Sequence, residues 1–398
     1  MLLSYFERRR RSNRQANLMG MTARQARKPR LGGGRSIESL EERLVLSTTF
    51  LPADNYASGL QPVGLVVGDF TNDGNLDVAT ANQASDTITI LPGSPTGTFG
   101  APIATNVGSA PISLVAGRFN GDTNLDLAVV NAGSDTVSIL LGNGNGTFAT
   151  VGTINVGFGA SRIASADLNG DSQADLVVVN SISNTISIFL GNGSGGFSQV
   201  AGSPVNVGVS PNDIALGQLD GVDGVDGTVA NLDPGNPGTI SLLLNNGTGL
   251  LTNTGSFFVG DLAEGVAVAD FNGDGRNDIA ATAFGLGTGS LRVFLNTGGM
   301  NFTVGADLIV PQGVYRVAAG DLDGDGFPDL AVTNTANNTL ELYFNNGAGG
   351  FSTSPADSAV LSLVQGLQGA SDVAIGDFNL DGSLDIAVVS AGGLAESS

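Results

Sequence analysis

Short strand-like segments recur along the chain at nearly constant spacing. In the unit that begins near Pro111, an apolar segment over 112–117 leads into a polar loop, and a second apolar segment occupies 127–131. A largely alternating segment over 135–141 follows, and a Gly- and Asn-rich turn separates it from a fourth segment over 147–154. Period-two alternation with turn residues between segments predicts four β-strands joined by hairpins.

The polar loop after the first strand marks a repeat of about 50 residues. A four-stranded unit repeated at this period is typical of a β-propeller blade, so we expect an all-β protein. The first positions of the seven loops are Asp69, Arg118, Asp167, Gln218, Asp270, Asp321 and Asp377.

The position after each first loop residue is always Phe or Leu. We expect these side chains to pack between blades and assign them no chemistry. They are Phe70, Phe119, Leu168, Leu219, Phe271, Leu322 and Phe378.

The loop over 321–329 carries the candidate chemistry most completely. Asp321, Asp323 and Asp325 alternate, Gly326 permits a sharp bend, and Asp329 ends the loop. Ca²⁺ takes six to eight oxygen ligands at about 2.3–2.6 Å, and alternate residues of a tight loop direct their oxygens to one side. Turn formation by Asp, Asn and Gly is the alternative explanation, but it does not require three or four such residues in fixed register in five loops. The sequence predicts cation sites, with calcium favoured over magnesium because the ligands are all protein oxygens.

Charge divides the chain into two regions. Residues 1–46 hold 11 of the 16 Lys and Arg residues, whereas residues 47–398 hold 5 basic and 33 acidic residues, a formal charge of −28. Such an acidic body is not expected to bind nucleic acid or an anionic membrane. The chain has no Cys or His, which excludes disulfides, thiolate metal sites and Ser-His or Cys-His catalysis. No apolar run is long enough for a transmembrane helix.

Residues 1–46 read as a basic, disordered N-terminal arm, with 1–35 outside the folded body. The arm lacks the apolar core of a secretory signal. The segment over 40–47 resembles a short tag with the pattern LEPRxLLS that occurs on bacterial surface proteins, with Glu42 where the tag has Pro.

The repeats over about residues 48–398 resemble FG-GAP/VCBS repeat proteins, whose relatives include the N-terminal propeller of integrin α subunits. The resemblance rests on the Asp-rich loop and on a second signature at a fixed offset, seen over 185–197 and 339–351. It implies a seven-bladed β-propeller of four-stranded antiparallel blades, with calcium in several loops. The last blade is expected to be incomplete or truncated, with 48–50 as its outer strand and 43–46 as a candidate third strand.

Transferred loop by loop, the resemblance implies five or six calcium ions. The fourth loop, with Gln218, Asp220, Val222 and Asp226, is degenerate, and Arg118 weakens the second. The candidate metal ligands are Asp69, Thr71, Asp73 and Asp77 in the first loop; Asn120, Asp122 and Asp126 in the second; Asp167, Asn169, Asp171 and Asp175 in the third; Asp270, Asn272, Asp274 and Asp278 in the fifth; Asp321, Asp323, Asp325 and Asp329 in the sixth; and Asp377, Asn379, Asp381 and Asp385 in the seventh.

These observations favour a non-enzymatic, calcium-binding propeller, secreted or attached to a bacterial cell surface, that binds a protein or polysaccharide partner. A carbohydrate-binding lectin and a polysaccharide-active enzyme are the alternatives. Paired carboxylates can cleave glycosidic bonds, but the conspicuous Asp residues already belong to the loops. Sugar sites favour aromatic platforms, and the chain has no Trp.

Overall fold

The computed structural model describes residues 2–5, 54–222, 224–285, 287–352, 358–362 and 369–391, with strands numbered β1 to β29 along the chain. These residues form antiparallel sheets, and no helix occurs among them. The predicted all-β propeller of four-stranded antiparallel blades is confirmed. Within the same residues, no helix has the length and apolar character needed to span a membrane.

Six blades are each built from strands that follow one another along the chain, with the first strand innermost. Blade 1 contains β3 (Pro62–Gly68), β4 (Asp77–Asn82), β5 (Thr87–Leu91) and β6 (Ile103–Asn106). Blade 2 contains β7 (Pro111–Gly117), β8 (Asp126–Asn131), β9 (Thr136–Gly142) and β10 (Phe148–Asn155). Blade 3 contains β11 (Ala160–Ala166), β12 (Asp175–Asn180), β13 (Thr185–Gly191), β14 (Phe197–Gln199) and the short β15 (Val205–Asn206).

The next three blades repeat this order. Blade 4 contains β16 (Pro211–Gly217), β17 (Asp226–Asn231), β18 (Gly238–Asn245) and β19 (Leu251–Gly260). Blade 5 contains β20 (Leu262–Ala269), β21 (Asp278–Phe284), β22 (Gly289–Gly298) and β23 (Asn301–Val310). Blade 6 contains β24 (Val314–Gly320), β25 (Asp329–Asn334), β26 (Thr339–Tyr343) and β27 (Ser358–Ser362).

A seventh sheet combines strands from both ends of the chain. Its inner strands are β28 (Ala370–Gly376) and β29 (Asp385–Ser390). Strand β1 (Leu2–Tyr5) pairs with β29, and β2 (Asp54–Tyr56) pairs with β1 at the outer edge. Strand β28 lies against β3, so the innermost strands form a closed ring.

The sequence-based assignment of the ends is corrected by this sheet. Leu2–Tyr5 lies inside the propeller, so the expectation that residues 1–46 form an arm outside it is wrong for these four residues. The outer and third strands are β2 and β1 rather than 48–50 and 43–46, and residues 6–53 lie outside the described residues. The physical reason is that β29 would otherwise expose an unpaired edge, which β1 covers.

The core lies in the spaces between blades. The seven Phe and Leu side chains at the second loop position are at most 2% exposed, which confirms the prediction that they are packing residues. Phe271 of blade 5 meets Phe351 of blade 6 edge to face, with ring centroids 5.7 Å apart. The Phe or Leu at the second position of each loop therefore anchors that loop in the interface between two neighbouring blades.

Candidate metal-binding loops

The Asp-containing loops gather at one end of the propeller. Each loop follows the innermost strand of its sheet, and its ninth position begins the second strand. In blade 6, Gly320 ends β24 and Asp329 begins β25. Since the innermost strands lie side by side in the same direction around the axis, all seven loops share one face.

The sixth loop brings three carboxylates into metal-binding range. Oxygens from Asp321, Asp323 and Asp325 all lie within 4.8 Å of one another. Two oxygens bound to one Ca²⁺ at about 2.3–2.6 Å are separated by at most about 5 Å, so this donor set fits calcium. Among the described residues, no other loop assembles three carboxylates in this way.

Hydrogen bonds within the loop also direct these carboxylates. Asp321 accepts the Gly324 amide through Oδ1 at 2.6 Å and the Gly326 amide through Oδ2 at 3.0 Å. Gly326 has φ of +96°, as the predicted bend requires. Asp325 Oδ1 accepts the Phe327 amide at 2.9 Å. The same residues therefore form the turn and converge their oxygens, so turn formation and metal binding are compatible.

The first-position Asp bends the first, third, fifth and seventh loops in the same manner. Asp69 accepts the amides of Asp73 and Gly74, and Asp377 accepts those of Asp381 and Gly382, at 2.9–3.1 Å. In these loops an Asn or Thr replaces the second Asp of the sixth loop. Each therefore supplies fewer charges to an ion than the sixth loop does.

The ninth-position Asp has a role that the sequence did not reveal. Asp329 Oδ2 accepts the amide of Leu322 at 2.8 Å, and its Oδ1 accepts the amide of Asn345, beyond β26, also at 2.8 Å. The side chain thus joins the loop to the third-strand side of its own blade. Equivalent contacts to the second loop position and to the end of the third strand are made by Asp77, Asp126, Asp175, Asp226 and Asp278.

Burial makes these ninth-position carboxylates hard to ionise. Burial, the largest cause, raises the pKa of Asp329 to about 7, while the Asn345 amide opposes the shift and the charge of Asp323 adds to it. Burial likewise raises the pKa of Asp323, which Asp325 and Asp321 also raise by their charges. A bound cation would favour the ionised forms. The assignment of Asp329 as a calcium ligand stays a prediction.

Two loops depart from the pattern through their first residue. In the second loop the Arg118 Nε donates to the carbonyl of Thr123 at 3.3 Å. A positively charged side chain therefore stands where the other loops have a carboxylate. In the fourth loop the Gln218 side chain accepts the amides of Asp220 and Gly221 and donates to the carbonyls of Val222 and Gly224. An amide there reproduces the bend without supplying negative charge.

The fifth loop contains its own counter-ion. The Arg276 guanidinium lies 2.5 Å from Asp274 Oδ2 and also donates to the carbonyl of Asn296 at 2.9 Å. Arg276 occupies the seventh position of the loop, which is not among the predicted ligand positions. Its side chain would compete with a metal ion for Asp274, and sequence reasoning missed this ion pair.

A second set of polar residues was not identified from the sequence. Arg162, Asp213, Glu264, Arg316 and Asp372 lie on innermost strands and converge near the propeller axis. The available signal was that two of the five Arg residues of the body fall at the same place in the repeat.

The fold and the loops define a β-propeller with Asp-rich turns. Comparison of the sequence with protein-family models shows the family to which the chain belongs. The model of the FG-GAP-like repeat matches residues 69–129, 118–178, 270–332 and 321–388, which together span more than half of the chain. The chain belongs to the FG-GAP-like repeat family. The matched segments include every loop except the degenerate fourth.

Solved structures show the same fold. A putative 6-phosphogluconolactonase from Bacteroides uniformis has 13% identity and a TM-score of 0.59, and the match covers 79% of this chain and 89% of the other. A Lactobacillus plantarum protein has 14% identity and a TM-score of 0.58, with the same coverage. BBS1N, crystallised in complex with ARL6DN, has 17% identity and a TM-score of 0.52, with 84% of this chain and 96% of the other covered. These identities establish the fold alone. No curated protein sequence matches the chain.

Proposed function

We propose that the protein is a calcium-stabilised propeller that acts outside the cell, secreted or attached to its surface, and binds a macromolecular partner. The observation that carries this proposal is the sixth loop, where three carboxylates lie within 4.8 Å of one another. Without a cation, like charges at about 4 Å repel by about 1 kcal/mol per pair even in water. A Ca²⁺ ion converts that repulsion into cross-links within the loop.

Five loops are proposed to hold calcium: the first, third, fifth, sixth and seventh. The second loop is a weaker sixth candidate, because Arg118 replaces its first carboxylate. When bound, the ions supply positive charge that fixes the loop face. The resulting face is rigid and presents the tips of all blades to a partner.

Binding is proposed rather than catalysis. The chain has no Cys or His, and the buried ninth-position carboxylates are occupied by backbone amides. The proposed location rests on the extracellular character of FG-GAP repeats and on the tag-like segment over 40–47. The partner is proposed to be a protein or polysaccharide of the cell envelope.

The calcium part is tested by titration calorimetry on the full-length protein. Asp325→Ala is expected to lower the calcium stoichiometry by one, because it removes one of the three converging carboxylates. Val222→Ala, at the same position of the degenerate fourth loop, is the matched control and should leave the stoichiometry unchanged. Equal stoichiometries in the wild type and Asp325→Ala would contradict the assignment.

The binding part needs a separate experiment. The immobilised full-length protein is exposed to the producing organism's envelope fraction in calcium, then eluted with chelator. One defined protein or polysaccharide that also binds when purified supports the proposal. A glycan array and a polysaccharide-cleavage assay distinguish the lectin and enzyme alternatives, and turnover of a polysaccharide would overturn the non-enzymatic proposal.

A further inference from the structure

The innermost strands share an irregularity near their first residues. In all seven, the pairing with the second strand shifts register one to three residues from the strand start. A β-bulge of this kind re-aims a side chain and is frequent next to functional sites. In six of the strands the residue that follows the shift is Gly64, Ser113, Arg162, Asp213, Gly265 or Asp372, and in β24 the shift spans Val314 to Val317 and so includes Arg316.

Four of these residues form an ion-pair network across the axis. Arg162 Nη1 lies 3.1 Å from Asp372 Oδ2 on the seventh sheet, and Arg316 Nη1 lies 3.2 Å from Asp213 Oδ2. Arg162 Nε is 3.7 Å from Asp213 Oδ1, which joins the two pairs. These contacts connect blades 3, 4 and 6 to the seventh sheet.

A cavity of about 210 Å³ lies beside this network. Its lining surface is mainly polar. The polar lining residues are Ser113, Arg162, Asp213, Arg316 and Asp372, and the apolar ones are Leu114, Ile163, Ile214, Val266 and Val317. Water occupies about 30 Å³ in the liquid, so the space equals roughly seven water molecules. It is large enough for one small organic molecule.

The two arginines retain unused hydrogen-bonding capacity. Arg162 and Arg316 are 8% and 5% exposed, and within the described residues neither Nε has a hydrogen-bond acceptor. A buried donor without a partner costs about 1–3 kcal/mol, and such groups in a native structure call for an explanation. The ion pairs therefore leave part of each guanidinium group unsatisfied, and both arginine side chains line the cavity.

We propose that the axial cavity binds a small neutral polyol, such as a single sugar unit. Two guanidinium groups and two carboxylates line the cavity, so the formal charges of the lining cancel and the lining favours neither an anion nor a cation; Glu264, which faces Arg316 and Asp213, is not part of the lining. Donors and acceptors alternate around the space, and a vicinal diol can donate to Asp213 or Asp372 while accepting from Arg162. This site is separate from the calcium loops, because the register shifts lie near the starts of the innermost strands and the loops follow their ends.

The proposal is tested by saturation-transfer NMR and calorimetry on the full-length protein in calcium. The probes are D-glucose, D-galactose, D-mannose, L-fucose and myo-inositol, with acetate and methylammonium as charged comparators. At least one neutral probe is expected to bind with one-to-one stoichiometry, more tightly than either charged comparator. Failure of every neutral probe, or tighter binding of a charged comparator, would overturn the proposal.

Two variants place the binding in the cavity. Arg162→Lys keeps the positive charge beside Asp372 but lacks the guanidinium group that lines the cavity, so it should weaken binding about tenfold or more. Ser113→Leu should block binding by filling the cavity while sparing the ion pairs. Arg292→Lys is the matched control, since Arg292 pairs with Asp307 on an outer strand and is more exposed. Wild-type affinity in both Arg162→Lys and Ser113→Leu, at an unchanged melting temperature, would contradict the site.

Discussion

The Oδ2 atom of Asp226 accepts a hydrogen bond from the amide of Leu219 at 2.8 Å, although the fourth loop lacks the ligand set of the other loops. Its Oδ1 atom accepts the amide of Asn245 at 2.9 Å. The ninth-position Asp therefore keeps its contacts where the metal ligands are absent. Its side chain connects the loop to the blade whether or not the loop carries the other candidate metal ligands.

Asp226→Ala should destabilise the protein without changing calcium binding. The substitution leaves the Leu219 and Asn245 amides without their acceptor, and each buried unsatisfied group costs about 1–3 kcal/mol. A loss of about 2–5 kcal/mol in the free energy of unfolding is expected from denaturant titration. Asp220→Ala, in the same loop, is the control and should cost less than about 1 kcal/mol. An equal loss in the free energy of unfolding for both variants would show that the buried contacts of Asp226 do not stabilise the protein more than the exposed contacts of Asp220 do.

Arg276→Ser should strengthen calcium binding by the fifth loop. The guanidinium of Arg276 neutralises Asp274, and Ser occupies the same position in the seventh loop at Ser383. Two charges about 4 Å apart in water interact by about 1 kcal/mol. Removing the positive charge of Arg276 should therefore improve the free energy of calcium binding by about 1 kcal/mol, or about fivefold in affinity. Calorimetric titration measures the gain.

The double variant Asp270→Ala, Arg276→Ser locates that gain. It lacks the first-position carboxylate of the fifth loop and should lose the improvement. A gain that persists in the double variant would mean that Arg276 acts elsewhere.

Phe271→Ala should strongly destabilise the junction between blades 5 and 6. Phe271 is fully buried against Phe351, and truncating a buried Phe to Ala typically costs about 3–5 kcal/mol. Phe258, which is 68% exposed on β19, provides the matched control. Phe258→Ala should change the free energy of unfolding by less than about 1 kcal/mol, and a similar cost at both positions would contradict the assigned interface.

Glu264→Gln should alter the dependence of stability on pH. The pKa of Glu264 is raised to about 7, mainly by burial. Of the charged groups that face it, Arg316 lowers the pKa and Asp213 raises it. Because its folded-state pKa lies above the unfolded value, the stability that it contributes is present below about pH 4.5 and lost as pH rises through about 7. Gln stays neutral and can still accept the hydrogen bond from Asn212 Nδ2.

The expected difference is measurable by denaturant titration at pH 5 and pH 8. Between pH 5 and pH 8, the free energy of unfolding of the variant should rise by about 2–3 kcal/mol relative to that of the wild type. This figure follows from the raised pKa of Glu264, since one pKa unit corresponds to about 1.4 kcal/mol. Other titrating groups contribute equally to both proteins. A difference between the two proteins that does not change with pH would show that Glu264 is ionised throughout.

The repeat pattern predicts the blades and loops because each depends on neighbouring residues. Hairpin turns, alternating strands and the Phe or Leu after each first loop position are local features. Leu2–Tyr5 could not be placed, because a four-residue segment far from its partners in sequence has no periodic signal. Its position depends on the exposed edge of β29, which exists only once the ring has formed.

The axial network was beyond sequence reasoning for a different reason. Arg162 and Arg316 interrupt apolar strands, and the direction of their side chains depends on a register shift between paired strands. That shift cannot be read from one strand alone. The Arg276–Asp274 pair was missed because the predicted ligand pattern does not include the side chain at position seven.

The central claim is that calcium holds the loop face together, and thermal unfolding of the full-length protein tests it most directly. A ligand that binds only the folded state stabilises it by about 2.7 kcal/mol per site at a hundredfold excess over Kd. Several sites together would rival a typical total stability of about 5–15 kcal/mol. In excess chelator the melting temperature should fall steeply, and millimolar calcium should restore it. Magnesium should restore it less well, because it requires a tighter octahedron and retains its waters. An unchanged melting temperature in chelator, calcium and magnesium would mean that the Asp loops are turns without a metal.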